Sequence, residues 1–382
     1  MFLYFVSALF LFCDIIYCSS LNETTKWPSK ISLSQAEFAV RLLHAAARSG
    51  KSAVLSPFSV AIALAMINAG ASGTTRKQLN DVLAKGTSVD ALKDYFKKHL
   101  KNVLTPLGGF QMNMASKLFV QKNLEMLKDY KQMIDEDYAS KINEIDFQKP
   151  EIVSSEINKW AKSQIDDTSG ELVEDEMFID ATKMVLVSMA SFDAVWQKPF
   201  NEFATRNQTF YQSLTKRKKV SVMAQSNYFD YYSDRTVSAI ALPYKDGKVF
   251  MYIFLPKDKY GLIAFEKTLT VKKMYRIIRS MKKAYVDLVL PRFRMERKFD
   301  LASALNRMGV IDAFIGEANF TGMCEELLFM SNLIHKAVTE VNERGTKAAT
   351  NGASKFEWNF IPVTTSLPIQ FIADHPFLFA IL

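Results

Sequence analysis

Histidines, cysteines and serines are the side chains in this sequence that could carry nucleophilic or metal chemistry. The four histidines, His44, His99, His335 and His375, are widely separated, and none stands at metal-ligand spacing from another histidine or a cysteine. The sequence has no Gly-x-Ser-x-Gly, no phosphate-binding glycine loop and no His-Glu-x-x-His. We therefore expect no enzyme activity, no metal and no cofactor. A catalytic triad dispersed along the chain leaves a hydrolase as the open alternative.

The segment from Glu340 to Phe379 has the pattern of an exposed loop between two strands. Small residues run from Gly345 to Ser354, and a connection with Pro362 and Pro368 leads to a final apolar strand. Small residues without a hydrophobic face cannot anchor a segment to a core, so residues 345–367 are predicted to be exposed. An ordinary long surface loop is the simplest interpretation of this pattern.

Motifs on both sides of this loop resemble those of the serpins, the serine protease inhibitor family. Glu340-Val341-Asn342-Glu343 with Gly345-Thr346 resembles the hinge, and Phe371-Ile372-Ala373-Asp374-His375-Pro376-Phe377 resembles the signature after the reactive loop. The resemblance continues through Leu55-Ser56-Pro57-Phe58-Ser59, Trp196-Gln197-Lys198-Pro199-Phe200, Leu242-Pro243-Tyr244, Leu290-Pro291-Arg292-Phe293 and Ala318-Asn319-Phe320-Thr321-Gly322. It implies a suicide inhibitor, in which a target protease cleaves the loop and the hinge side inserts into a large sheet as an extra strand. A non-inhibitory carrier or binding protein is the alternative within the family.

The resemblance assigns the inserting hinge to Glu343, Gly345, Thr346, Ala348, Ala349 and Thr350. Alternate side chains of a strand face the same side, so the inward set counted from Thr346 is Thr346, Ala348, Thr350, Gly352 and Ser354. All five are small and could slide between existing strands. Lys347, which stands where the family commonly has an acidic residue, and the larger Asn351 fall on the outward side, where a solvated side chain costs little.

The position of the cleaved bond depends on the direction of counting. Counted forward from the hinge it is Asn359-Phe360, and counted back from Ala373 it is Thr365-Ser366, because this loop is longer than the family pattern. We favour the hinge count, since insertion length is what carries the protease to the far end. The nearby aromatic residues Phe356, Trp358 and Phe360 predict a chymotrypsin-like serine protease as the target, with an Asn-directed cysteine protease as the runner-up.

The resemblance also implies two supporting sites in the sheet that receives the loop. The first is a polar cluster under the central strands, where the sheet must open, made of Ser56, Ser59, Ser188 and His335. The second is an oppositely charged pair at the top of the sheet, Arg292 with Glu343. Ser188 stands where the family usually has Asn, and Asp193-Ala194 where it has Lys-Gly; both departures bear on the stability of the closed sheet.

Local patterns predict an α+β fold with large mixed or antiparallel sheets, and the resemblance implies that it is the serpin fold, with many helices and an exposed reactive-centre loop. Helical periodicity marks the first half, including an apolar run from Val60 to Ala69, and Phe299–Met308 is also predicted to be helical. Strand patterns follow from Met184, with a hairpin at Asp246-Gly247. Serpins usually continue past the last apolar strand into one more central strand, so a chain stopping at Leu382 is expected to expose a sheet edge.

The first twenty residues have the features of a secretory signal peptide, with a short apolar run from Phe2 to Phe12 before Cys18 and two serines. We expect residues 1–20 to be removed and residues 25–382 to form one serpin domain, with its reactive-centre loop at about residues 343–367. The product would be a secreted, extracellular monomer whose mature chain keeps one cysteine, Cys324. Sequons predict N-glycosylation at Asn22, Asn207 and Asn319.

A formal net charge of +8 raises the question of a polyanionic partner. Lys93, Lys97 and Lys101 repeat on one helix face, and a second basic helix is predicted over residues 272–283. The candidates for binding a heparin-like glycosaminoglycan are Lys93, Lys97, Lys101, Lys272, Lys273, Arg276, Arg279 and Lys283, with Lys282 in the same helix. A solvated basic face is the alternative. Nucleic acid and membrane are not expected as partners.

Overall fold

The computed structural model describes residues 6–10, 29–47, 52–104, 110–165, 170–346 and 367–382, with the backbone alone at 6–10 and 102–104. The α-helices in these ranges are α1 (Lys30–Ala46), α2 (Pro57–Gly70), α3 (Gly73–Ala84), α4 (Val89–Leu104), α5 (Lys128–Tyr138), α6 (Pro150–Gln164), α7 (Leu262–Lys267), α8 (Val271–Arg279) and α9 (Ala302–Met308). Short 3-10 helices cover Asp175–Met177, Glu202–Ala204 and Asp312–Phe314. Within this part of the chain no helix is both long enough and apolar enough to span a membrane.

The strands build two sheets. They are β1 (Val6–Phe10), β2 (Ala53–Leu55), β3 (Phe110–Gln121), β4 (Lys141–Ile145), β5 (Met184–Val195), β6 (Arg206–Tyr211), β7 (Arg217–Ser233), β8 (Val237–Pro243), β9 (Phe250–Pro256), β10 (Lys282–Pro291), β11 (Phe293–Asp300), β12 (Asn332–Val341), β13 (Gly345–Thr346), β14 (Ile369–Ile372) and β15 (Phe377–Ile381). A six-stranded sheet has the order β11-β12-β13-β5-β3-β4. A nine-stranded sheet has the order β14-β10-β7-β8-β9-β15-β1-β2, with β6 paired to β7. The predicted mixed α+β architecture is confirmed.

Helix α2 runs through the main core between the two sheets. Ser56 caps it by accepting a hydrogen bond from the Ser59 backbone N–H, and Pro57 occupies the first turn. Every residue from Pro57 to Asn68 is buried, as the apolar run in the sequence predicts. The helix packs against β3 and β5, so it forms the floor under the centre of the six-stranded sheet.

Two local predictions were right and two were wrong. Gly247 has φ +68°, as the tight turn between β8 and β9 requires, and β15 covers the predicted final strand. The predicted helix at Phe299–Met308 begins too early: β11 continues to Asp300, paired with Ile334, and α9 starts at Ala302. The predicted basic helix ends at Arg279, because the chain turns at Ser280 and enters β10 at Lys282.

The N-terminal strand β1 lies inside the nine-stranded sheet, between β15 and β2. It runs parallel to both neighbours, with Val6 to Phe10 opposite Phe377 to Ile381 and Ser7 to Leu9 opposite Ala53 to Leu55. The expected open edge beside β15 is therefore wrong for the chain that carries these residues, because β1 occupies the position. The same residues belong to the predicted leader, so removal of residues 1–20 would take this strand away.

Candidate functional site

Two of the three hinge residues that the structure describes, Gly345 and Thr346, already form a strand at the top of the six-stranded sheet. Asn342 seals a tight turn after β12, with its Oδ1 accepting hydrogen bonds from the backbone N–H groups of Arg344 (3.0 Å) and Gly345 (3.2 Å). Beyond that turn, β13 lies antiparallel between β12 and β5. The chain thus enters the sheet at the position where an inserted loop would begin.

Thr346, the residue from which the inward set was counted, faces the core. Its side chain is fully buried, and its Oγ1 lies 2.6 Å from the Tyr244 hydroxyl oxygen. Burial raises the pKa of Tyr244, so the hydroxyl stays protonated and can donate. The Tyr244 ring in turn stacks on Trp196, with centroids 4.6 Å apart. Thr346 is therefore held by a hydrogen bond inside an aromatic pocket.

Gly345 lies against the backbone of β5 with no room for a side chain. A Cβ added there would lie 1.9 Å from the Ala194 carbonyl oxygen and 2.8 Å from the Val195 Cα. Neither contact can be relieved by rotating a side chain, because both involve backbone atoms. The glycine in the hinge motif is explained by this close approach of two strands.

Glu343 is held at the top of the sheet by three neighbours. Its Oε2 lies 3.5 Å from Arg292 Nε, and its Oε1 accepts a hydrogen bond of 2.6 Å from Thr205 Oγ1. The Glu343 carbonyl oxygen also accepts from the Phe200 backbone N–H. The predicted pair of Arg292 and Glu343 is thus in contact, with the carboxylate buried and the guanidinium half-exposed.

The four residues predicted to form the polar cluster lie together beneath the central strands. Ser188 on β5 and His335 on β12 are direct partners in the parallel ladder, and Ser56 and Ser59 come from the start of α2. Ser188 Oγ donates to Ser59 Oγ at 3.2 Å, and the Ser56 backbone N–H donates to His335 Nε2 at 3.1 Å. All four side chains are buried. The cluster joins α2 to both β5 and β12.

His335 is neutral in this cluster. Burial lowers its pKa to about 4, although a hydrogen bond with the Ser188 backbone opposes the shift. The hydrogen bond that Nε2 accepts requires the lone pair of the uncharged ring. The closed sheet therefore contains a histidine that must stay unprotonated.

The predicted signature after the loop connects β14, at one edge of the nine-stranded sheet, to β15 inside it. Phe371 and Phe377 are fully buried, and His375 bridges Asp374 Oδ1 (2.7 Å) and the Pro256 carbonyl oxygen (2.8 Å). Burial alone would raise the pKa of Asp374, but hydrogen bonds with His375 and Lys259 lower it. This arrangement anchors the C-terminal end of the loop.

Several predicted site residues lie outside the described residues, so the structure places none of them. They are the hinge residues Ala348, Ala349 and Thr350, both candidate bonds at Asn359-Phe360 and Thr365-Ser366, and the sequon residue Asn22. Of the other sequons, Asn207 is exposed on β6. Asn319 is half-buried, and its Oδ1 accepts a hydrogen bond from Thr321 Oγ1 at 2.9 Å.

The structure divides the basic candidates into three groups. Lys93 and Lys97 on α4 both contact Asp137, which reduces their net charge, while Lys101 is exposed on the same helix. Lys272, Lys273, Arg276 and Arg279 lie on α8. Lys283 lies on β10 and pairs with Asp230 at 3.0 Å, because the helix ends before it.

Sequence reasoning used Trp196 and Tyr244 as motif residues but missed their role as the pocket for Thr346. It also missed Thr205, which donates to Glu343. Tyr244 and Thr346 are 102 residues apart, so no local spacing indicates their contact. An aromatic residue in each of two serpin-like motifs was the available signal.

Comparisons with known proteins agree with this geometry. The family model described as serpin (serine protease inhibitor) matches residues 33–382, and the chain belongs to the serpin family. The leukocyte elastase inhibitor of Equus caballus is 33% identical over 366 residues, which cover 92% of this chain and 95% of the relative.

Two solved structures show the range of proteins with this fold. The structure of native protease nexin-1 with heparin has a TM-score of 0.81 and 26% identity, covering 92% of this chain and 95% of that one. The complex of thyroxine-binding globulin with thyroxine also has a TM-score of 0.81, at 25% identity, with the same coverage of each chain.

Proposed function

We propose that this protein inhibits a chymotrypsin-like serine protease by offering its loop as a substrate and trapping the enzyme. The observation that carries the proposal is the seating of Gly345 and Thr346 as β13 between β12 and β5. A loop that only connects two strands has no need of a buried, hydrogen-bonded end inside a central sheet.

The reaction would begin as ordinary proteolysis. The protease serine attacks the carbonyl carbon of the loop residue before the cut, the amide bond breaks, and the loop residue remains as an ester on the enzyme. The new amino terminus leaves with the C-terminal part of the chain, which β14 and β15 anchor. The hinge side is then free to extend β13 downward between β12 and β5, drawing the acylated protease with it.

Strand insertion requires β12 and β5 to part from Val338–Ser191 down to Asn332–Val185. The ladder hydrogen bonds between these strands would be replaced by bonds to the inserted strand on both sides, so the sheet gains one ladder. The polar cluster beneath them supplies hydrogen-bonding groups that can exchange partners during this change.

The direct test mixes the purified protein with chymotrypsin, elastase, cathepsin G, trypsin and legumain, followed by denaturing gels and intact-mass analysis. An adduct that survives SDS, together with release of a peptide starting at Phe360, would support trapping at Asn359-Phe360. Release of a peptide starting at Ser366 would support the alternative bond. An adduct with legumain alone would move the target to an Asn-directed cysteine protease.

Clean cleavage without an adduct would support the non-inhibitory alternative, a carrier or binding protein. The similarity to thyroxine-binding globulin gives that alternative a precedent in the same fold. If the loop stays intact and no adduct forms with any of these proteases, both the cleavage of the loop and the trapping of the enzyme are contradicted.

We further propose that α8 binds a heparin-like glycosaminoglycan that speeds inhibition. Lys272, Lys273, Arg276 and Arg279 lie within nine residues of one helix, and the structural relative protease nexin-1 was solved with heparin. Heparin affinity chromatography tests this: Arg276→Ala with Lys272→Ala should elute at lower salt than the parent protein. Lys93→Ala with Lys97→Ala serves as the matched pair, with a smaller expected shift because Asp137 already contacts both lysines.

Export remains a proposal that rests on the leader-like N-terminus and on the exposed Asn207 sequon. Cleavage after residue 20 would remove β1, so the secreted form and the form that contains β1 cannot be the same molecule. Amino-terminal sequencing of protein from cells and from medium separates them, and a shift on glycosidase treatment would mark the exported one. An intact Met1 in both fractions would contradict leader cleavage.

A further inference from the structure

Two neighbouring strands of the nine-stranded sheet diverge and leave a cleft between them. The ladder between β7 and β8 ends at the pair Asp230 and Ala241. Beyond that pair, β7 continues beside β10 and β8 continues beside β9. The segment after β5 enters the gap, where the Gln197 backbone N–H donates to the Pro243 carbonyl oxygen at 2.9 Å. A cleft of about 190 Å³ remains between this segment and the two strands.

The cleft has an apolar inner wall and a polar rim. Its buried lining residues include Trp196, Phe229 and Leu242. Its exposed lining residues include Lys198, Tyr228 and Lys283. Small-molecule sites are commonly built in this way, with apolar and aromatic walls and a few polar groups that fix the orientation of the ligand. An apolar cavity of about 150 Å³ holds one benzene ring, so this cleft has room for one aromatic ring system.

The charge at the rim is unevenly balanced. Lys283 pairs with Asp230, with Nζ and Oδ2 3.0 Å apart. Lys198 instead donates a hydrogen bond of 3.1 Å to the uncharged Asn227 side chain, and no carboxylate in the described part of the chain forms an ion pair with it. The Lys198 ammonium therefore remains available to an anionic group at the mouth of the cleft.

The inner wall is already in place before any ligand binds. The Trp196 ring stacks on Tyr244 with centroids 4.6 Å apart, and its Nε1 donates to the Asn342 carbonyl oxygen at 2.9 Å. A ligand does not have to order this side chain, so little binding free energy is spent on it. Trp196 also belongs to the pocket that holds Thr346, so a ligand in the cleft would contact a side chain that supports the hinge.

We propose that this cleft, the Trp196 cleft, binds a small aromatic anion. The ring lies against Trp196, Phe229 and Leu242, and the carboxylate or sulfonate accepts a hydrogen bond from the Lys198 ammonium. Aromatic rather than aliphatic ligands are favoured because three of the lining side chains are aromatic, and aromatic rings attract one another in offset or edge-to-face contact. The site does not depend on loop insertion, so it stands or falls separately from the inhibitory function.

The test is calorimetric titration of the full chain with indole-3-acetate and with indole-3-acetamide, its uncharged analogue of the same shape. The acid should bind with a Kd of about 0.1–1 mM, as the small number of ligand atoms allows. The amide should bind about three- to tenfold more weakly, because it cannot form the charged hydrogen bond with Lys198.

Two variants separate the two parts of the cleft. Lys198→Ala should reduce the affinity for the acid to that for the amide and leave the amide unchanged. Tyr228→Ala should weaken both probes, because it removes an aromatic wall. Lys257→Ala is the matched control, since it removes an exposed lysine that does not line the cleft. Equal unfolding midpoints in guanidinium chloride would show that all three variants fold as the parent does.

Three results would overturn the proposal. Equal affinity of the parent for the acid and the amide would remove the anion from the assignment. Absence of binding heat with both probes at millimolar concentration would remove the site itself. Binding that neither Lys198→Ala nor Tyr228→Ala changes would place the probes elsewhere on the molecule.

Discussion

The positions of β13 and β1 in their sheets share one property: each lies between two strands that run parallel to each other. In the six-stranded sheet, β13 enters between β12 and β5 for only two residues and runs antiparallel to both. In the nine-stranded sheet, β1 lies between β15 and β2 for five residues and runs parallel to both. We call them the hinge slot and the terminal slot.

The two slots differ in what lies around them. Below β13 the neighbours of the hinge slot pair with each other, over the polar cluster of Ser56, Ser59, Ser188 and His335. The terminal slot is bordered by Phe377, Leu378 and Phe379, all fully buried, and its neighbours do not pair directly. The hinge slot can exist with or without an inserted strand, because β12 and β5 can pair with each other. A slot with apolar walls that cannot close leaves backbone groups unpaired when it is empty.

We infer from this contrast that the hinge slot can change its conformation, whereas the terminal slot stabilises the fold. Hydrogen-bonding side chains under the hinge slot can change partners without exposing apolar surface, so opening costs little beyond the broken ladder. Emptying the terminal slot exposes large aromatic side chains to water and should affect stability directly. Changes at the first slot should alter inhibition more than stability, and changes at the second the reverse.

The largest expected effect is loss of inhibition by Thr346→Arg. The wild-type side chain is fully buried beside Tyr244, and an arginine there would have to bury an unpaired charge before the rest of the loop could follow. Inhibition should fall by at least about 100-fold, with the loop cleaved as a simple substrate. The measurement is residual protease activity against inhibitor concentration, with gels to follow the cleaved chain.

Thr346→Ser is the comparator, because it keeps the small size and the hydroxyl that reaches Tyr244. An inhibitor that still forms adducts with arginine at this position would contradict the role of the hinge slot as the path of insertion.

The next effect is a loss of stability on removing residues 1–20. Their deletion takes away β1 and leaves the ladder groups of β15 and β2 unpaired, at about 1 kcal/mol for each lost hydrogen bond. We expect the free energy of unfolding to fall by about 5 kcal/mol or more, measured by denaturant unfolding.

A finer version tests the strand itself. Ala8→Pro removes a backbone donor in the middle of β1, opposite Phe379 and Val54, and should destabilise the full chain. Ser19→Pro makes the same substitution outside β1 and should have no comparable effect. If the parent and both variants are equally stable, β1 does not contribute to the stability of the nine-stranded sheet.

The resemblance to serpins, and not any local pattern, placed much of the hinge slot. Thr346 was the chosen start of the inward set, and its side chain is buried in the structure; the close approach of Gly345 to Ala194 is visible only in the structure. The resemblance to serpins brought Ser188 and His335 together, which no local pattern could do. The errors at Lys282 and Phe299 are boundary errors, because charged and amphipathic residues continue across the change from helix to strand or from strand to helix.

The terminal slot could not be predicted in the same way. The apolar run that contains Val6 to Phe10 fits both a signal peptide and a buried strand, since each requires a short hydrophobic segment. Its partner β15 is some 370 residues further along the chain, beyond the reach of any periodicity. The contact between Tyr244 and Thr346 was missed for the same physical reason.

A smaller effect comes from acid. His335 has a folded-state pKa of about 4, below the ordinary value of 6.5, so the unfolded chain binds more protons between these values. The stability contributed by the neutral ring is complete above about pH 6.5 and is lost as the pH falls toward 4. The loss reaches about 3 kcal/mol, to be measured as the unfolding midpoint against pH.

His335→Gln removes the titrating group while keeping a polar side chain, so its stability should vary less with pH between 4 and 6.5. A parallel pH dependence in the parent and the variant would show that the acid sensitivity of the hinge slot has another origin.

The smallest effect expected is that of Ser188→Ala. It removes the hydrogen bond from Ser188 Oγ to Ser59 Oγ, which joins β5 to the floor helix, and should cost about 1 kcal/mol of native stability. Because the bond holds the closed sheet, its loss should also make the hinge slot easier to open. We expect the variant to inhibit at least as fast as the parent while unfolding at lower denaturant.

Phe379→Leu, a change of similar cost in the wall of the terminal slot, should lower stability without any gain in inhibition rate. Faster inhibition by both variants would show that global loosening governs insertion, and the distinction between the two slots would then be lost.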